Sequence, residues 1–212
     1  MIAFPEIIIL LITALILLIY HLHLFYKVRT SPMITSIGIT NQLRRDWVQT
    51  VMEENRNILA VQTLRNWIMA ASLLASTAIL ISLGIIGVAF RSDKLADLSN
   101  ALNLFGTQSE TLWSVKLMIL IVDFFVTFFN FTLAIRYYNH ASFAINIPIA
   151  KDPIVTFESV SDIVNHGALH YMIGMRGFYL AVVFALWLFG PSWMLIGTII
   201  LVAVFYGLDR KA

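Results

Sequence analysis

The chemistry-bearing residues of this chain gather in two places. One is the stretch DFFVTFFNFTLAIRYYNH, from Asp123 to His140. Asp123 stands inside a long apolar run, where a carboxylate is costly in hydrocarbon and faces a protein interior, a cavity or a partner. Asn130 follows one heptad later, so the two share a helix face, and Lys116, one heptad earlier, extends that line. Such a stripe is expected either to line an ion or proton pathway, with Asp123 as the titrating or coordinating group, or to form an interhelical hydrogen bond that holds a bundle together. The Gly190-Pro191 pair breaks the last apolar stretch at its middle, at an expected depth close to that of Asp123. Proline frees a backbone carbonyl one turn earlier, and freed carbonyls beside a carboxylate suit a cation.

The second group comprises histidines and arginines. His166 and His170 are spaced i, i+4 on a helix, with Asp162 one turn earlier and His140 available from another segment. Imidazole with carboxylate suits a divalent metal such as zinc. Arg65, Arg136 and Arg176, with Asn139, fall at about the same level and could hold an anion or lipid headgroups. The third reading asks least of the sequence: Arg, His and Tyr anchor a membrane interface and cap helix ends. A histidine pair at suitable depths could ligate haem, but His21, His140, His166 and His170 all fall on one side, which argues against it.

These residues must be positioned by membrane helices. The chain has 212 residues, is 59% hydrophobic and only 12% charged, and its mean hydropathy is +0.84. That is about half the charged share of a soluble domain. A formal net charge of +2 gives no basis for nucleic-acid binding, and the absence of cysteine excludes a disulfide framework, a thiolate metal site and a cysteine nucleophile. No phosphate-binding glycine loop, nucleophile elbow or HExxH motif is present, so no enzyme class is indicated.

The apolar pattern predicts an all-α integral membrane bundle of four spans, about residues 4–26, 67–90, 112–138 and 177–206, in a single membrane domain. The segments 27–66 and 139–176 lie between them. No cleavage pattern precedes the basic residues that follow the first span, so it reads as a retained helix. From Asn41 a helical pattern runs without Gly or Pro to Gly84. This predicts an amphipathic extension continuous with the second span, a rod of roughly 75 Å with a bend near Arg65-Asn66. Ala71, Ala75, Ala78 and Ser82 form a small-residue stripe that lets helices approach closely. Ser159 and Asp162 have the spacing of a helix cap and its acidic partner, predicting a short helix from Val160 towards Tyr171. The last stretch reads as one kinked helix, with a re-entrant hairpin as the alternative. Glu6 reads as a solvated end residue.

Lys27, Arg29, Arg44, Arg45, Arg56 and Arg65 fall in the first loop, and Arg136, Lys151 and Arg176 in or beside the third. Arg91 and Lys94 fall in the second loop, and Arg210 and Lys211 in the tail. With Lys116 inside a span, four spans place nine basic residues in the cytoplasm and four outside, with both termini outside.

Four segments, ITNQLRRDWVQTVM (39–52), NILAVQTLRNWIMAASLLASTAILI (57–81), RYYNHASFAINIP (136–148) and GMRGFYLAVVFALWLFGP (174–191), resemble the domain-of-unknown-function family numbered five-nine-nine. This is a family of multi-span membrane proteins of bacteria and plants. The resemblance implies about four spans, a bacterial inner-membrane setting, and importance for Arg65, Asn66, Arg136, Asn139, His140, Arg176, Gly190 and Pro191. It implies no activity. The expectation is therefore an oligomeric channel- or transporter-like protein for an ion or small solute, with Asp123, Asn130, Gly190 and Pro191 lining or gating the path. The alternatives are a non-catalytic accessory or scaffold subunit of a membrane complex and a metal-binding protein using the histidine rim. The partners implied are the lipid bilayer and further copies or a membrane-complex subunit.

Overall fold

The computed structural model describes residues 4–90, 110–148 and 155–210. Arg91, Lys94, Lys151, the Asp152-Pro153 turn and Lys211 lie outside them. The described residues form six α-helices: α1 (Phe4–Thr30), α2 (Ser36–Glu53), α3 (Asn57–Ala89), α4 (Glu110–Ala144), α5 (Phe157–Phe189) and α6 (Pro191–Asp209). A single 3-10 turn, Pro32–Ile34, joins α1 to α2. All but α2 are long and apolar enough to cross a membrane, so the chain is an all-α membrane bundle with five candidate spans.

The fifth candidate span arises at Gly190. The last apolar stretch was expected to be one kinked helix with Gly190-Pro191 near its middle. Instead Gly190 caps the end of α5 and the start of α6, with φ 142° and ψ 159°. This backbone region is open only to glycine. Pro191 then occupies the first turn of α6, where a missing N–H costs nothing. The chain reverses, and α6 packs back along α5 and against α1. Its 19 residues give about 28 Å, close to the ~30 Å hydrocarbon core.

The long rod is also broken. Asn55 adopts φ 53°, a left-handed conformation that asparagine tolerates better than most side chains. The chain turns there, not at Arg65-Asn66, and α2 folds back to bury Val48, Val51 and Met52 against Ala60 and Leu64 of α3 and Val160 and Val164 of α5. Burying this apolar stripe outweighs continuing the helix. The start of α5 differs too. Thr156, not Ser159, caps the helix, and Ser159 completes the capping box. The helix then runs unbroken into the membrane span.

The centre of the bundle is the α4–α5 pair. Large side chains of α4 meet glycines of α5: a Cβ on Gly167 would lie 2.6 Å from the Tyr138 ring, and one on Gly174 would lie 2.9 Å from the Phe131 ring. Gly177 is closed in the same way by Thr127. The alanine stripe of α3 is buried as its spacing indicates, Ala71 and Ala75 against Phe131 and Ala78 against Leu120 and Phe124. Ser82 donates to the Ile121 carbonyl at 3.4 Å.

These contacts define two ends. Lys116, Glu6 and Trp187 meet at one end, beside the Gly190 turn. Tyr20, Arg176 and Asp209 meet towards the other, where Thr35 also bridges Arg210. The N-terminal part of α1 and the C-terminal end of α6 therefore lie at opposite ends, whereas four spans would have put them together.

Candidate anion-binding cavity

Towards the end that holds Arg176 and Asp209, α2, α5 and α6, with parts of α1, α3 and α4, border an open cavity of roughly 820 Å³. That lies within the range of small-molecule pockets. Its position follows from the fold: α2 lies across α5 at one level, α6 meets α5 about three turns further along, and the space between is left open.

Arg44 reaches the cavity from α2. Its Nε donates to Asn165 Oδ1 at 2.9 Å, and its Nη2 donates to Asn41 Oδ1 at 2.5 Å. Asn165 Nδ2 in turn donates to the Asn41 carbonyl at 3.4 Å. Both partners of the guanidinium are neutral amides. No carboxylate lies within ion-pair distance of Arg44 among the described residues. Burial pushes its pKa below the ordinary arginine value, yet a guanidinium remains charged at neutral pH. An uncompensated positive charge therefore faces the cavity. The adjacent Arg45 behaves differently, pairing with Asp162 at 3.6 Å on an exposed surface.

Arg176 lines the deeper part. Its Nη2 binds both oxygens of Asp209, at 2.6 and 2.5 Å, and both side chains are 12% exposed. Tyr20 of α1 donates to the same carboxylate. The guanidinium also lies over the Phe205 ring, 4.7 Å from its centroid. Its Nη1 is buried with no hydrogen-bond partner. One carboxylate thus ties α1, α5 and α6 together and neutralises the arginine.

The other residues singled out from the sequence separate. Arg65, Arg136, Asn139 and His140 are exposed and do not line the cavity. His166 uses its Nδ1 on the Asp162 carbonyl at 2.7 Å. His170 Nδ1 meets Asn130 Oδ1 at 3.0 Å, and Tyr137 stacks on both imidazoles. Among the described residues no group of three His, Asp or Glu side chains could hold a metal, so His140, His166, His170 and Asp162 are not assembled as a ligand set. Asp123 is partly buried, and its Oδ2 has no hydrogen-bond partner; neither has the Thr127 hydroxyl, one turn away. Gly190-Pro191 is not beside Asp123. It sits at the level of Lys116, about 10 Å further along α4 at 1.5 Å per residue. Glu6 is not solvated: it is 2% exposed and pairs with the buried Lys116 at 3.8 Å.

Residues 8–212 match the model of a family described as protein of unknown function, DUF599. The chain belongs to the DUF599 family. Neither the curated proteins nor the solved structures contain a match to it. In this DUF599 protein the cavity joins Arg176, Asp162 and His166, which the sequence singled out, to residues that its pattern left in the background. Asn41 and Arg44 read as part of an amphipathic helix, Asn165 as part of a short helix and Tyr20 as part of the first span, while Asp209 falls in the tail after the last expected span. The available signal was Gly190. If it reverses the chain, Asp209 returns towards the depth of Arg176, and the two become a pair.

Proposed function

We propose that this DUF599 protein recognises a small anionic solute at the cytoplasmic side of the membrane, and that the Arg44 cavity is the loading site of a transporter-like activity. The observation that carries the reading is the Arg44 guanidinium, held by two neutral amides and facing a cavity of ligand size. Such a charge strongly favours a carboxylate or phosphate partner. The orientation rests on the basic residues. Lys27, Arg29, Arg44, Arg45, Arg56 and Arg210 belong to the end that holds the cavity, whereas Lys116 is the described basic residue of the other. Five spans with this asymmetry favour an orientation with the N-terminal end of α1 outside and Arg210 inside.

Protein reconstituted in zwitterionic liposomes and screened with labelled carboxylates and phosphates tests this reading. Uptake of at least one anion is expected, reduced roughly tenfold or more in Arg44→Gln. Equal uptake by wild type and Arg44→Gln would remove the cavity from the function.

A second reading places an ion path along α4 between assembled copies. It rests on the unpartnered Oδ2 of Asp123 and hydroxyl of Thr127. It predicts cation flux that Asp123→Asn abolishes; normal flux in that variant would exclude it.

A further inference from the structure

The cavity has a direction. Asn165, which holds Arg44, and Arg176 are eleven residues apart on α5. That separation is about 16 Å and close to three whole turns, so both lie on one face of the helix. Between them the same face presents Leu169, Met172 and Met175 to the cavity. Trp67 and Ala70 of α3 line it as well. The site therefore has Arg44 at one end, beside the Asp162 carboxylate that Arg45 neutralises, an apolar middle, and a second guanidinium at the far end that Asp209 already neutralises.

This arrangement discriminates between ligand classes. A compact anion would satisfy Arg44 and leave the apolar stretch unfilled. A long dianion would have to lay its polar length along methionine and leucine, and its second charge would compete with Asp209. A molecule with one anionic head and one apolar chain matches every part. The head takes the uncompensated guanidinium, and the chain covers the Met172–Met175 face, whose flexible thioethers adapt to an irregular tail. The chain would end near the internally neutral Arg176–Asp209 pair. Resting on the reading of the Arg44 cavity as the recognition site, we propose that its ligand is a single-chain anionic amphiphile with a carboxylate or phosphate head. Such a molecule can come from the surrounding leaflet or from solution.

Full-length protein in phosphatidylcholine nanodiscs tests this through its thermal unfolding midpoint. Dodecyl phosphate and inorganic phosphate are titrated separately, and a third sample contains lysophosphatidic acid, a single-chain lipid, in the disc with nothing added. The expected result is a saturable rise with dodecyl phosphate at concentrations at least tenfold below those needed with inorganic phosphate. The rise should be lost in Arg44→Gln. A second variant, Met172→Trp, fills the apolar middle without touching Arg44. It should abolish the dodecyl phosphate response and retain the weaker one to inorganic phosphate, which keeps the test open if Arg44→Gln does not fold. A rise with lysophosphatidic acid, also sensitive to Arg44→Gln, identifies the leaflet as a source; its absence beside a dodecyl phosphate response identifies solution. Equal potency of the two phosphates, or a dodecyl phosphate response unchanged in Met172→Trp, overturns the amphiphile while leaving an anion site at Arg44. A response unchanged in Arg44→Gln, or no response to any probe, overturns both.

Discussion

Arg44 and Arg176 line one cavity and differ in their counter-charge, so the same substitution has different consequences at each. Arg176 shares Asp209 with Tyr20 in a largely buried cluster. Removing one member of a buried pair leaves the other charge uncompensated, at a cost of about 3–5 kcal/mol. Asp209→Ala should therefore lower the unfolding midpoint markedly, while the double variant Asp209→Asn with Arg176→Gln should recover part of the loss. A double variant no more stable than the single one would show that the pair is not coupled. Arg44→Gln should cost far less stability, because its partners are neutral amides on the edge of an open cavity. The histidines are also tested at this scale. His166 spends its Nδ1 on its own helix backbone, so neither chelator treatment nor His166→Ala should shift the midpoint; a clear fall in both would restore the metal reading. Little of this was legible in the sequence. Arg176 stood out because it falls at the level of Arg65 and Arg136, but its partner lies 33 residues away, across a turn that cannot be placed by periodicity.

At the scale of the element, the helices themselves were legible and their breaks were not. Apolar runs and the small-residue stripe of α3 fix where spans lie, because hydrophobic length and close packing are local properties of the sequence. Breaks depend on tertiary burial. Asn55 turns the chain only because α2 has an apolar stripe to bury against α3 and α5, and no Gly or Pro announces it. Gly190 was visible as an interruption, yet a kink and a reversal share the same Gly-Pro signature. Substituting Gly190 by alanine forces a side chain into φ 142°, and the strain should cost about 1–3 kcal/mol. Gly174→Val tests the α4–α5 seam in a different way. Its methyl groups would meet the Phe131 ring, and overpacking of this kind costs about 1–3 kcal/mol. Pairing it with Phe131→Ala should relieve part of that loss. A Gly174→Val protein as stable as wild type would mean that the two helices can separate freely.

For the whole molecule, the N-terminal part of α1 and the end of α6 lie at opposite ends of the bundle, and the proposed five-span orientation puts them on opposite sides of the membrane. The chain has no cysteine, so single introduced cysteines report sidedness cleanly. Ile7→Cys in α1 should react with a membrane-impermeant maleimide in intact cells, and Arg210→Cys should react only after permeabilisation. Labelling of both in intact cells would restore the four-span arrangement. In the proposed orientation Arg44 lies at the face where cytoplasmic anions and inner-leaflet lipids arrive, which is what gives the cavity its role. That an anion occupies this site is the central claim, and native mass spectrometry of the gently solubilised full chain tests it most directly. Wild type should carry a stoichiometric anionic adduct that Arg44→Gln lacks, with both proteins folded by gel filtration. Wild type without an adduct, or an adduct retained in Arg44→Gln, would contradict it.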